Sequence, residues 1–148
     1  MNTTLKRATV DDIQTYIDIE SSIGRIPTYW AITDPEKVKK EIEETICYFL
    51  EYEGKIVGSV AYEIKGESHA YFTSVVIRPE FQRKGIASHV MKLLMEGELK
   101  DMKRVDLVTH PHNSSAIILY LSLGFIIESW KDNLFGDGEP RIFMAKVK

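Results

Sequence analysis

The sequence predicts a single α/β domain built on a mixed, mostly antiparallel sheet flanked by helices. Three observations carry this. Residues 47–78 read as three strands in succession, separated by the tight turns Glu53-Gly54-Lys55 and Lys65-Gly66-Glu67, which is an antiparallel meander. A helix-period segment then stands between the strand Ser68–Arg78 and the strand Val105–Thr109. Such a strand–helix–strand unit closes as a right-handed crossover, so these fourth and fifth strands should run parallel. Finally, 148 residues with 44% hydrophobic and 28% charged content suffice for one core, and no repeat, low-complexity stretch or shift in composition divides residues 1–148.

Taken in order, Thr3–Thr9 reads as a short strand. Asp11 or Asp12 can cap a following helix, in which Ile13, Tyr16 and Ile17, with Glu20 one turn later, give one apolar face. Ser21–Thr33 is irregular, interrupted by Gly24 and Pro27, yet rich in Tyr29, Trp30 and Ile32. A loop of that composition packs onto something, as a lid over the core or as a wall of a substrate pocket. Asp34-Pro35-Glu36 is a helix start: a capping acid, a proline suited to the first turn, and a second acid that complements the helix dipole. Val38, Ile42 and Ile46 line one face of that helix, while Lys37, Lys39, Lys40, Glu41, Glu43 and Glu44 read as its solvated face. The strands Cys47–Tyr52, Ile56–Ile64 and Ser68–Arg78 form the meander. The helix from about Lys84 to Lys100 buries Ile86, Val90, Leu93 and Leu94. After Val105–Thr109 come the loop His110-Pro111-His112-Asn113, a short helix Ser114–Ser122 ended by Gly124, and two strands, Phe125–Trp130 and Arg141–Val147, that can pair as a hairpin.

The bulk chemistry excludes several classes. A net charge of −3 does not describe a general nucleic-acid surface. No apolar run approaches the ~20 residues that a membrane span requires, and no signal peptide is evident at the N-terminus. The single cysteine, Cys47, rules out an internal disulfide and fits a reducing, cytoplasmic setting. It reads as a small core residue, because nothing in the sequence supplies a base to activate its thiol. No metal is expected.

The stretch from Val75 to Ala87 has a distinct chemistry. An apolar strand stops at Pro79, a basic turn with Arg78, Arg83, Lys84 and Gly85 follows, and an amphipathic helix begins. The first N–H groups of a helix lack intrahelical partners and carry partial positive charge, so this is a place to hold an anion such as a pyrophosphate. Gln82-Arg83-Lys84-Gly85-Ile86-Ala87 fits the Q/R-x-x-G-x-G/A signature, and Asn113 to Phe125 fits the segment N-x-x-A-x-x-L-Y-x-x-x-G-F. In both respects, and in its order of elements, the chain resembles the GNAT superfamily of acyl-CoA-dependent N-acyltransferases.

The resemblance implies a GNAT-like fold in which the parallel fourth and fifth strands splay apart. It implies acetyl-CoA as co-substrate, with its pyrophosphate on backbone amides of Gln82, Arg83, Lys84, Gly85, Ile86 and Ala87. The pantetheine arm would pair with the strand edge at Val75, Val76 and Ile77, and an N–H there would polarise the thioester carbonyl. Asn113 would hydrogen-bond the same arm. Tyr120, two helical turns further on, would protonate the departing thiolate; a phenol with a pKa near 10 keeps its proton at neutral pH. Superfamily members often form homodimers, and that is the assembly the resemblance implies.

The general base is left open. Some relatives place a glutamate on the fourth strand, where this chain has Tyr71-Phe72-Thr73-Ser74. Candidates are Glu63, His69, Thr73 or Ser74 through a water chain, and His110 or His112, which flank a proline and read as solvated. Asp137 and Glu139, in the final hairpin, can attract a cationic amine, although a solvated tip is the simpler reading. The expectation is acetyl transfer to a primary amine, either a small amine such as a polyamine or a protein amino group. The rival is a non-catalytic acyl-CoA-binding or sensing domain; a third class is an interaction protein that has lost the cofactor.

Overall fold

The computed structural model describes residues 2–148. Among the described residues, the strands β1 (Thr3–Arg7), β2 (Ile46–Tyr52), β3 (Lys55–Gly66), β4 (His69–Ile77), β5 (Arg104–Thr109), β6 (Ile126–Lys131) and β7 (Arg141–Val147) form one sheet in the order β1-β2-β3-β4-β5-β7-β6. Every neighbouring pair is antiparallel except β4 and β5. The parallel pair lies on either side of the helix crossover, as that connection requires. The last strand inserts between β5 and β6, which leaves β6 as an exposed edge.

Helices α1 (Ile13–Ile23) and α2 (Pro35–Glu44) cover one face. Tyr16, Ile19, Val38 and Ile42 pack there against Phe49, Ala61 and Val76. Helices α3 (Ile86–Glu96) and α4 (Ser114–Ser122) cover the other, where Val90, Met91, Leu94, Tyr120 and Leu123 meet Val60, Phe72, Leu107 and Met144.

Several boundaries differ from the sequence-based ones, each for a local reason. Thr9 rather than Asp11 or Asp12 caps the first helical segment: its hydroxyl accepts from the Asp11 N–H, and Asp12 accepts in return from the Thr9 N–H at 2.9 Å, so a 3-10 turn precedes α1. Asp34 does cap α2, accepting from the Lys37 N–H at 3.1 Å. That helix ends at Glu44, so Ile46 belongs to β2 and not to the helix face. Helix α3 is shorter than Lys84–Lys100, and Leu93 is 45% exposed while Met91 is buried. At about 100° per residue, the buried Ile86, Val90, Leu94 and Met91 follow one another around the inward arc, with Met91 at one edge and Leu93 just outside the other.

A bulge in β4 decides what faces the site. Ala61 pairs with Ser74 and Tyr62 with Phe72, so Thr73 is an extra residue. One inserted residue inverts the in–out alternation of everything after it. Ala70 and Phe72 point toward α3 and α4 before the bulge; after it Val75 and Ile77 do, while Val76 joins the α1–α2 core. The β4–β5 ladder runs from His69↔Arg104 to Phe72↔Leu107 and stops there. Beyond that point β5 stays with β7 as far as Thr109↔Ile142 and β4 stays with β3, so the parallel strands part.

Candidate active site

Where β4 and β5 part, a cleft of about 390 Å³ opens between the N-terminal ends of α3 and α4. Val75, Val76 and Ile77 supply its β4 wall. Their edge toward β5 has no ladder partner among the described residues, leaving backbone donors and acceptors to be met by something else.

Gln82, Arg83, Gly85, Ile86 and Ala87 line the end formed by the basic turn, and Lys84 does not reach it. Two left-handed residues shape this turn, Arg83 at φ 63° and Gly85 at φ 79°. A glycine takes that conformation without steric cost, and alternating left- and right-handed residues turn successive N–H groups to one side. Gly85 stands at the N-cap of α3, where no side chain caps the helix, so its first N–H groups remain open to an anion. The Gln82 side chain is already engaged, donating to the Ile77 carbonyl at 3.0 Å and tying the turn to the end of β4.

Asn113 and Tyr120 line the facing wall. Asn113 occupies the N-cap of α4, but its side chain makes no capping bond. Helix α4 closes in a Schellman pair, with Phe125 N–H donating to the Tyr120 carbonyl and Gly124 N–H to the Leu121 carbonyl, both at 3.0 Å. Gly124, at φ 96°, makes that closure possible. The closure holds the Phe125 ring 5.8 Å from the Tyr120 ring, which fixes the phenol. Burial pushes the Tyr120 hydroxyl up to about 12, so it keeps its proton.

The irregular loop after α1 is a lid and a wall together. Ile23, Ile26, Thr28 and Tyr29 line the cleft. Ile26 and Tyr29 exchange two backbone hydrogen bonds of 3.0 Å, and Arg25 stacks over the Trp30 ring at 4.4 Å. The loop is moored by Glu20, which is 1% exposed and accepts from the Tyr29 hydroxyl at 2.6 Å and the Ile32 N–H at 3.1 Å.

The proton-acceptor candidates separate clearly. Glu63 pairs with Lys65 at 2.7 Å, and His69 with Asp106 at 2.8 Å, at the closed end of the β4–β5 ladder. His112 is exposed. His110 is 1% exposed rather than solvated: its Nδ1 accepts from the His112 N–H, and its Nε2 lies 2.7 Å from Glu139. Asp137 pairs with the buried Arg141 at 2.8 Å. Asp137, 6% exposed and paired with Arg141, departs from the solvated-tip expectation, whereas Glu139 keeps its side chain 37% exposed while bonding His110.

Ser74 Oγ is buried without a hydrogen-bond partner among the described residues, beside the Tyr16 hydroxyl but outside bonding geometry. Thr73, the bulge residue, donates to Glu41 at 2.8 Å. Glu41 is half-buried, not part of a solvated face. Burial raises its pKa against the opposing effect of the Thr73 bond, and no cation pairs with it among the described residues. Its position three residues after Val38 and one before Ile42 was the available signal, because that places it beside the buried stripe of α2.

The acetyltransferase (GNAT) family matches residues 15–125. This chain belongs to that family. It is 31% identical over 99 residues to N-alpha-acetyltransferase 20 of Dictyostelium discoideum, covering 64% of this chain and 57% of the relative. The chain spans about half the length of the curated relatives it matches. Among solved structures, the ribosomal-protein-S18-alanine N-acetyltransferase of Escherichia coli superposes with a TM-score of 0.81 at 20% identity, covering 98% of this chain and 93% of that one. The microcin C7 self-immunity acetyltransferase MccE, in complex with acetyl-CoA and AMP, gives a TM-score of 0.78 at 20% identity, covering 99% and 92%.

Proposed function

We propose that the protein transfers the acetyl group of acetyl-CoA directly to a primary amine. The observation that carries this reading is the parting of β4 and β5. It opens a cleft with an uncapped helix start at one end and Tyr120 on its wall. The described residues suit acetyl-CoA chemically: free amides for a pyrophosphate, an unpaired strand edge for an amide-bearing arm, and a protonated phenol near the sulfur. Solved relatives of the same fold with acetyl-CoA bound support the co-substrate.

Acetyl-CoA supplies an activated acyl group and a thiolate leaving group. The chain does the rest. Amides of the Arg83–Ala87 turn bind the phosphates, and the edge at Val75–Ile77 orients the arm with Asn113. A backbone N–H at that edge takes up negative charge developing on the carbonyl oxygen, while Tyr120 gives its proton to sulfur. Thr73 and Glu41 stand at the bulge where the strands separate. In this reading Glu41 takes the proton that the amine loses, passed through Thr73 or a water. The similarity to an N-alpha-acetyltransferase supports the α-amino group of a polypeptide as acceptor, ahead of a small polyamine.

The test is release of free CoA thiol from acetyl-CoA, followed against a panel of peptides with free α-amino groups and of small amines. The reading expects release to accelerate with at least one peptide amine. A protein that binds acetyl-CoA while no amine in the panel accelerates release is a binding domain, and the enzymatic reading fails.

A further inference from the structure

A second cavity, about 370 Å³ and so close in size to the cleft, lies at the opposite ends of the same two helices. Its floor is apolar. Leu99, Val105 and Leu123 are 2%, 5% and 7% exposed, and Met95 and Met102 lie beside them. Its rim is cationic, with Lys92, Lys100, Lys146 and Lys148 against the single acid Glu96. None of these lysines forms an ion pair among the described residues. In a chain of net charge −3, this is a local concentration of unmatched positive charge.

Structural duties account for only part of it. Lysines near helix C-termini complement the dipole, and the Lys148 ammonium donates to the Lys100 carbonyl. Lys146 comes instead from β7, directly opposite Val105 of β5. Its stem lies over Gly124, where an added Cβ would stand 3.1 Å from Lys146 Cε. The ammonium is thus guided along the cavity wall. Lys92 and Lys100 are exposed and free to turn inward.

We propose that this cavity is a binding site for a small organic anion, a carboxylate, sulfonate or phosphate carried on an apolar body. A floor of leucine, valine and methionine accepts the body, and methionine adapts to its shape. Lysine is a flexible point charge without the fixed fork of arginine, so the site selects for charge rather than for one anion geometry. A volume near 370 Å³ suits a small molecule and not a macromolecular segment.

The probe is 8-anilinonaphthalene-1-sulfonate, an apolar ring system bearing one sulfonate, titrated by fluorescence onto the protein in the presence of saturating acetyl-CoA. N-phenyl-1-naphthylamine, nearly the same body without the charge, serves as comparison. Expected are saturable one-to-one binding of the sulfonate that survives acetyl-CoA, weakens as salt is raised, and exceeds that of the neutral probe by about tenfold. The exposed double variant Lys92→Glu/Lys100→Glu should weaken the sulfonate by about tenfold or more and leave the neutral probe unchanged. Lys146→Gln, which removes the charge and shortens the side chain by one atom, should act in the same direction. Displacement of the sulfonate by acetyl-CoA would place it in the active-site cleft and overturn the proposal. So would wild-type affinity in both lysine variants.

Discussion

Gly58 has no visible role in chemistry, yet the geometry makes it the most sensitive glycine for the site. It pairs with Ile77 across β3 and β4, and an added Cβ would lie 2.1 Å from the Val76 carbonyl oxygen and 3.2 Å from Ile77 Cα. Both neighbours are backbone, so no side chain can swing away. Gly58→Ala must push β4 outward at Val76 and Ile77, which form the cleft's β4 wall. Overpacking of this kind costs about 3 kcal/mol, at the upper end of its range because a strand has to move. The alanine returns about 0.5 kcal/mol by restricting the unfolded chain. A net loss of about 2.5 kcal/mol corresponds to a Tm lower by about 5–10 °C for a chain of this size. Displacement of the strand edge should also raise the acetyl-CoA Kd by about tenfold, the equivalent of ~1.4 kcal/mol. Gly66→Ala is the internal control: the glycine lies in the same strand, with open space around it, and should shift stability by less than about 0.5 kcal/mol. Calorimetric melting and titration with acetyl-CoA measure both effects. If the Gly58 variant melts and binds like wild type, the close approach of β3 to Val76 is wrong, and the strand-edge assignment loses its basis.

Tyr120→Phe keeps the ring against Phe125 and removes only the hydroxyl that the proposed reading makes the acid; turnover with a peptide amine should fall about 100-fold or more while acetyl-CoA affinity and Tm stay unchanged. Gly85→Val forces a β-branched residue to φ 79°, costing about 1–2 kcal/mol or more at the phosphate end, and calorimetric titration should show markedly weaker acetyl-CoA binding. In the proposed reading the ionised form of Glu41 is the base, and burial raises its pKa, so wild-type kcat/KM should climb as pH rises through that raised value. Glu41→Gln should lose this acid-side limb and lower kcat with acetyl-CoA affinity intact; a retained limb would assign the proton to another group. The same shift acts oppositely on folding: a raised folded-state pKa favours the protonated folded form, a contribution lost as pH rises through it, so the Gln variant should show a flatter dependence of Tm on pH across that interval.

Much of the architecture was legible because the local signals agreed with one another. The meander turns, the Asp34-Pro35 helix start and the Gly124 stop each name one conformation, and the crossover rule then orients β4 and β5. What failed were signals with two solutions. Thr9 and Asp12 form a reciprocal capping box, so either acid after Thr9 looked like a cap from sequence alone. Leu93 and Met91 both border the buried arc of α3, and only the packing of the sheet beneath decides between them.

The site was less legible for a different reason. Backbone-built parts can be read from a glycine and its spacing, because the chain conformation itself is the binding group. Side-chain partners across elements cannot. Thr73 and Glu41 are 32 residues apart and meet only because a bulge turns Thr73 toward α2. The bulge has no sequence mark of its own, since Phe72-Thr73-Ser74-Val75 would also serve as plain strand. Without the inserted residue, Val75 would face α1 and α2, and Val76 would take its place in the other core. One residue of register thus fixes both which face the cleft's apolar wall presents and which carboxylate stands behind the parted strands. The proposed reading therefore draws from α2 the carboxylate that β4 lacks.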